Sequence, residues 1–138
     1  MILGLAYHWW VIILLVIVID STILWYVLVH KMKKRIPEVQ RKYYLKIWNS
    51  LGQKSHKEAI MEADKILDKL LGHRGYAGSL GDKLKQADGV FTDLNSVWEA
   101  HKLRNKLAHE LDFHVSQETA RHALKSFERA YKDLGLFS

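Results

Sequence analysis

The chain has 138 residues, no cysteine and a single proline, with 21 Lys+Arg against 15 Asp+Glu for a formal charge of +6. The length predicts one domain, and the lack of cysteine excludes disulfides and thiolate metal sites. A balance this mildly basic does not by itself demonstrate a nucleic-acid binder.

The hydrophobic residues crowd the N-terminus. Between Met1 and His30 the only formally charged side chain is Asp20, and Trp9 to Ile19 is unbroken apolar or aromatic. About 20 apolar residues suffice to cross a bilayer. A cleaved signal peptide carries its basic residues before the apolar run, whereas here Lys31, Lys33, Lys34 and Arg35 follow it. The pattern predicts a retained transmembrane anchor over 1–30, a basic juxtamembrane linker over 31–36 and a cytoplasmic domain over 37–138. Basic clusters stay on the cytoplasmic side, so the expected topology is single-pass in the inner membrane with the N-terminus outside. Trp9 and Trp10 at one end and Trp25 and Tyr26 at the other suit the two headgroup belts. The basic cluster reads either as a plain topology signal or as a contact for anionic membrane lipids.

Asp20 is the anomaly of the span, since a mid-membrane carboxylate costs about 2.5–3.5 kcal/mol on insertion scales. With Ser21 and Thr22 it forms a polar patch that could hydrogen-bond across a helix pair. Two readings stand: self-association of the anchor, or a protonated Asp tolerated near an interface.

Beyond the anchor, residues 36–138 carry 17 Lys+Arg against 14 Asp+Glu. Pro37 suits the first turn of a helix, and Val39, Tyr43, Ile47 and Leu51 recur every four residues beside Tyr44 and Trp48. A second helix spans about 56–71 with Ile60, Ala63, Ile66, Leu67 and Leu70 on one face, and Gly72 is placed to end it. The glycine-rich "GHRGYAGSLGD" lacks the Gly-Lys-Ser/Thr ending and the preceding strand of a phosphate loop. It reads as a turn with a helix restart at Ser79, where Asp82 completes a capping box. His73, Arg74 and Tyr76 remain candidate substrate or partner contacts from this loop. A short helix follows over 80–88. A long one, capped by Thr92 or Asp93, runs to about Leu111 with Leu94, Val97, Ala100, Leu103, Leu107 and Leu111 as its buried stripe. Ser116 caps the last helix, whose stripe is Ala120, Ala123, Leu124, Phe127, Tyr131 and Leu134, stopped by Gly135. No stretch alternates with period two. The fold class is all-α: an N-terminal transmembrane helix and an antiparallel bundle of four to five helices.

The chemistry concentrates in "HKLRNKLAHE", residues 101–110. Residues four apart share a helix face, so His101, Asn105 and His109 form a polar column. Arg104 flanks it on one side, and Lys102, Lys106 and Glu110 on the other. Metal-free RNA cleavage uses the 2′-hydroxyl as nucleophile. It needs a base, an acid and positive charge on the phosphorane. Histidine fits both proton roles, and arginine's planar fork fits the phosphate oxygens. The second histidine could be His101, or His109 of a second copy across a two-fold axis. No histidine pair here has metal-site spacing, and no cofactor is implied.

Arg104-Asn105-Lys106-Leu107-Ala108-His109 resembles the R-x4-H motif of the HEPN superfamily, in its form beginning Arg-Asn. The resemblance covers about residues 37–138. It implies a helical bundle with the motif on a late helix, and a homodimer whose paired motifs build a metal-independent endoribonuclease site. In that likeness Arg104 and His109 are the catalytic pair and Asn105 the supporting polar residue; His101 joins as a supporting polar residue through its place in the column. Leu111 stands where some catalytic members carry tyrosine. The alternatives are a non-catalytic HEPN-like module that is membrane-tethered and binds RNA or a protein partner, and a structural membrane protein assembled through Asp20.

Overall fold

The computed structural model describes the backbone of residues 2–33 and 35–137 and the side chains of 8–27 and 35–137. The side chains of Lys31, Lys33 and Lys34 thus lie outside the described residues, while Arg35 is exposed. The chain divides into two compact units, Met1–Lys34 and Arg35–Ser138, a boundary inside the basic linker. All regular elements among the described residues are helical.

The first unit is one helix, α1 (Ile2–Lys33). Its 20-residue segment His8–Val27 reaches a mean hydropathy of 2.4 over an 18-residue window. At 1.5 Å per residue those residues cover about 30 Å, the thickness of a hydrocarbon core. The Ser21 and Thr22 hydroxyls donate to the carbonyls of Val18 and Ile19, at 2.9 and 2.8 Å.

The second unit is a bundle of α2 (Glu38–Ser50), α3 (His56–His73), α4 (Leu80–Gln86), α5 (Leu94–His109) and α6 (Gln117–Asp133), with a 3-10 turn at Leu51–Gln53. Its helix starts follow local chemistry. Ser55 with Glu58, and Ser79 with Asp82, form reciprocal capping boxes, while Asp93 and Ser116 cap α5 and α6. These bonds hold the Glu58, Asp82 and Asp93 carboxyls below their ordinary range, the side-chain hydrogen bond from the serine being the main cause.

Helices α3, α5 and α6 pack on one another around Ile60, Leu67, Leu70, Val97, Leu107, Phe127 and Tyr131. Thr92 and Asp93 before α5 bond to Asp133 and Arg129 near the end of α6, so these two helices run antiparallel. Helix α2 joins through Tyr44, whose Oη lies 3.1 Å from His73 Nε2, and through Trp48, edge-on to Tyr131 at 5.1 Å.

Three expectations are corrected. Val39 and Tyr43 are 79% and 60% exposed. A row of every fourth residue drifts about 40° per step around a 3.6-residue helix, so only its later members, Ile47 and Leu51, reach the core, and Tyr44 and Trp48 supply the rest of the inward face. Leu111 is 99% exposed, because α5 ends at His109 and Glu110 is extended. Helix α3 continues through Gly72, and the left-handed residue after it is Gly75, at φ 91°.

The Tyr131 hydroxyl donates to the Ala63 carbonyl at 2.6 Å in a fully buried setting. Burial, and then the negative charge of Asp64, push that hydroxyl well above its ordinary value of 10.0. The native state therefore keeps this proton where the unfolded chain releases it. The resulting stability is full below about pH 10 and falls as pH rises beyond it. Tyr131→Phe should cost about 1 kcal/mol at neutral pH and flatten the alkaline decline. Urea unfolding of residues 35–138 across the alkaline range, compared with wild type, checks both.

Candidate functional site

The site begins with a carboxylate on the wrong side of a helix. Asp64 lies on the inward face of α3 beside Ala63 and Leu67 and is 4% exposed. Its Oδ1 is 2.8 Å from His101 Nδ1, and its Oδ2 is 3.2 Å from Arg104 Nε. The first contact is a hydrogen bond. The second is an ion pair whose N–H is not aligned on the oxygen.

The contacts then continue around α5. Asn105 Nδ2 lies 3.3 Å from His101 Nε2, and Arg104 Nη1 donates to Asn105 Oδ1 at 3.1 Å. One assignment of donors makes the three hydrogen bonds mutually consistent and leaves the buried Arg104 Nε to the ion pair alone. His101 Nδ1–H donates to Asp64, its Nε2 accepts from Asn105, and Asn105 accepts from Arg104. These roles are inferred from the network, as hydrogens must be. The result is a closed ring, Asp64–His101–Asn105–Arg104, that ties α3 to α5.

The ring forms one wall of a cleft of about 770 Å³. Lys65, Asp68 and Lys69 of α3 line it further along, and Gly78, Ser79, Leu80 and Gly81 close it at the start of α4. Asp68 accepts from Lys83 Nζ at 2.7 Å, so the carboxylate one turn beyond Asp64 ties α3 to α4. Lys65 pairs with Glu62 at 3.0 Å. The Trp98 ring stands edge-on to His101 at 6.0 Å. A second cleft of about 220 Å³ lies between α5 and α6, lined in part by Glu99, His122 and Arg129. Its titratable side chains are not bonded to one another among the described residues, which leaves the larger cleft as the candidate site.

The structure brings Arg104, Asn105 and His101 together. It places His109 elsewhere: exposed, at the last residue of α5, and not among the residues lining the cleft. Five residues on a helix advance about 7.5 Å and turn about 140° relative to the starting side chain, so Arg104 and His109 of one chain point different ways. Lys102, Lys106 and Glu110 are exposed.

The loop residues have structural partners. His73 bonds Tyr44, Arg74 Nη2 donates to the Leu134 carbonyl at 2.7 Å, and Tyr76 packs against the core. Asp64 itself escaped the sequence reading. Its signal was an acid at a core position, four residues after Ile60 and three before Leu67. Among the described residues no three His, Asp or Glu side chains converge as a metal site would require.

No family model matches the chain, and neither does any curated protein or solved structure.

Removing one partner of a fully buried ion pair costs about 3–5 kcal/mol, and Asp64→Ala should cost about 2–3 because Arg104 is partly exposed and can rehydrate. Asp64→Asn keeps an acceptor for His101 and should cost less. Chemical denaturation of residues 35–138 in both variants tests this order.

Proposed function

We propose that the bundle is a HEPN-like domain that binds RNA and cleaves it without a metal, tethered to the inner membrane by α1 and completed by a second copy. The observation that carries this reading is the Asp64 ring. It holds a guanidinium, an imidazole and an amide at the edge of an open cleft, the donor set suited to a phosphodiester.

In this reading Arg104 is fixed in place by Asp64 and Asn105, so its outer nitrogens meet a phosphate already oriented. A carboxylate on the Nδ1 side of His101 keeps Nε2 available as a base, the role division familiar in Asp–His pairs. Asn105 must release Nε2 for that role, and a phosphate accepting from Arg104 favours the release. The base takes the 2′-hydroxyl proton, the 2′-oxygen attacks phosphorus, and the bond to the 5′-oxygen breaks. The leaving oxygen needs an acid. Since His109 of the same chain does not line the cleft, His109 of a second copy supplies it across a two-fold axis. The products are a 2′,3′-cyclic phosphate and a 5′-hydroxyl.

The anchor reading rests on the length and hydropathy of α1 and on the basic residues after it. A signal sequence shares the first two properties, and the trailing charges favour a retained span with the bundle inside the cell. Asp20 is then the residue through which anchors pair. Ser21 and Thr22, whose hydroxyl protons go to their own backbone, contribute acceptors only.

A second reading has an observation in its favour. Both ring nitrogens of His101 and both oxygens of Asp64 are already engaged, as in a lock between helices. The domain would then be a non-catalytic module that binds RNA or a protein partner.

Full-length protein in detergent, incubated with mixed RNA and EDTA, separates the two. A nuclease should leave 2′,3′-cyclic ends and lose about 100-fold or more in rate in His109→Ala and Arg104→Ala, the usual scale for an acid–base or phosphate-binding group. Mixing the two inactive variants should restore part of the rate, since mixed dimers rebuild one intact site. Absence of cleavage by the folded dimer would leave the binding module.

A further inference from the structure

The α2 face that the core does not use has a composition of its own. Val39, Lys42, Tyr43 and Lys46 fall within about 100° of the helix circumference, and all four are exposed. Arg35, just before the helix, is exposed as well. The one acid of this segment, Glu38, pairs with Arg41 at 2.9 Å and lies 3.9 Å from Lys42. Lys46 has no ion-pair partner among the described residues. Two apolar side chains between lysines, backed by a helix anchored on Tyr44 and Trp48, make a small amphipathic surface with net positive charge.

We propose that this face docks on an anionic phospholipid surface, with Val39 and Tyr43 entering the headgroup layer and Lys42 and Lys46 meeting lipid phosphates. The proposal rests on the anchor reading of α1, for a covalent reason. Beyond Val27 the helix runs six more residues, about 9 Å, enough to pass the headgroups. Residues 34–37 then separate Lys33 from Glu38, and so short a segment spans at most about 18 Å. The start of α2 cannot leave the neighbourhood of the bilayer. Tyrosine favours the interface, and lysine reaches to phosphates while its stem covers apolar surface.

A second copy is the other conceivable occupant, and the chemistry disfavours it. Self-docking would set Lys42 and Lys46 against their own kind, and two apolar side chains fall far short of the roughly 800 Å² per partner of a stable interface.

The chain lacks cysteine, so Val39→Cys and Asn95→Cys each give one nitroxide position in the full-length protein. Asn95 is an exposed residue of α5 and serves as the control. The protein is reconstituted in phosphatidylcholine vesicles with and without a one-third share of phosphatidylglycerol. Collisions with oxygen and with a water-soluble nickel chelate are then measured.

The expected result is that position 39 is shielded from nickel in the anionic vesicles and less so in the neutral ones, while position 95 stays accessible in both. Lys42→Ala and Lys46→Ala should each lower the docked-to-undocked ratio about fivefold. Equal nickel access at 39 and 95 in anionic vesicles, in protein that resists alkaline extraction, overturns the docking and leaves the anchor standing. Protein released by alkaline extraction overturns the anchor and the docking together. Shielding that persists in detergent micelles and grows with protein concentration puts a second copy on this face and also overturns the proposal.

Discussion

The bundle depends on a carboxylate that would be expensive where it sits. An ion of this size taken out of water loses several kcal/mol even after the protein relaxes around it. Asp64 recovers that loss through two cationic or polar donors on a different helix, and its charge adds to the larger effect of burial in holding the Tyr131 proton. The same helix makes polar bonds to every other member of the bundle. Asp68 reaches Lys83 of α4, the Ala63 carbonyl accepts from Tyr131 of α6, and His73 meets Tyr44 of α2. Apolar packing alone would let these helices slide or rotate at little cost. The directional bonds of α3 fix one arrangement, which is the use of buried polarity best supported elsewhere.

The local chemistry of this fold was legible from the residues. Ser79 with Asp82, Ser116 and Asp93 act through hydrogen bonds to amides three residues away, so short windows of sequence contain the whole interaction. The long stripes on α3 and α6 were legible because both faces of each helix contrast strongly. Helix α2 was legible only in part, since apolar residues occur around most of its circumference and the four-residue row turns inward only at Ile47 and Leu51. Asp64 was missed for a different reason. A lone acid among apolar neighbours looks like a helix-face error until its partners, 37 and 40 positions further along the chain, are brought beside it. His101 and Arg104 were singled out as potential chemistry, while the group that orients them was invisible at that range. Leu111 shows the converse: its spacing extended the stripe of α5, but the helix had already ended.

The R-x4-H spacing also acquires a geometric meaning. A pair at i and i+4 would stack on one face, but i and i+5 diverge by about 140°. Arg104 lines the cleft, and His109 stands exposed at the helix end. Such a pair does not stack on one face of the helix, and only Arg104 lines the cleft. Around a two-fold axis, however, divergence is what allows each chain to give one group to its own cleft and the other to its neighbour's. A site of that kind is assembled only at concentrations where the copies meet, and a membrane raises that concentration by confining the chains to two dimensions. On the reading proposed above, the anchor and the divided motif suit the same design, in which activity would follow the local density of the protein.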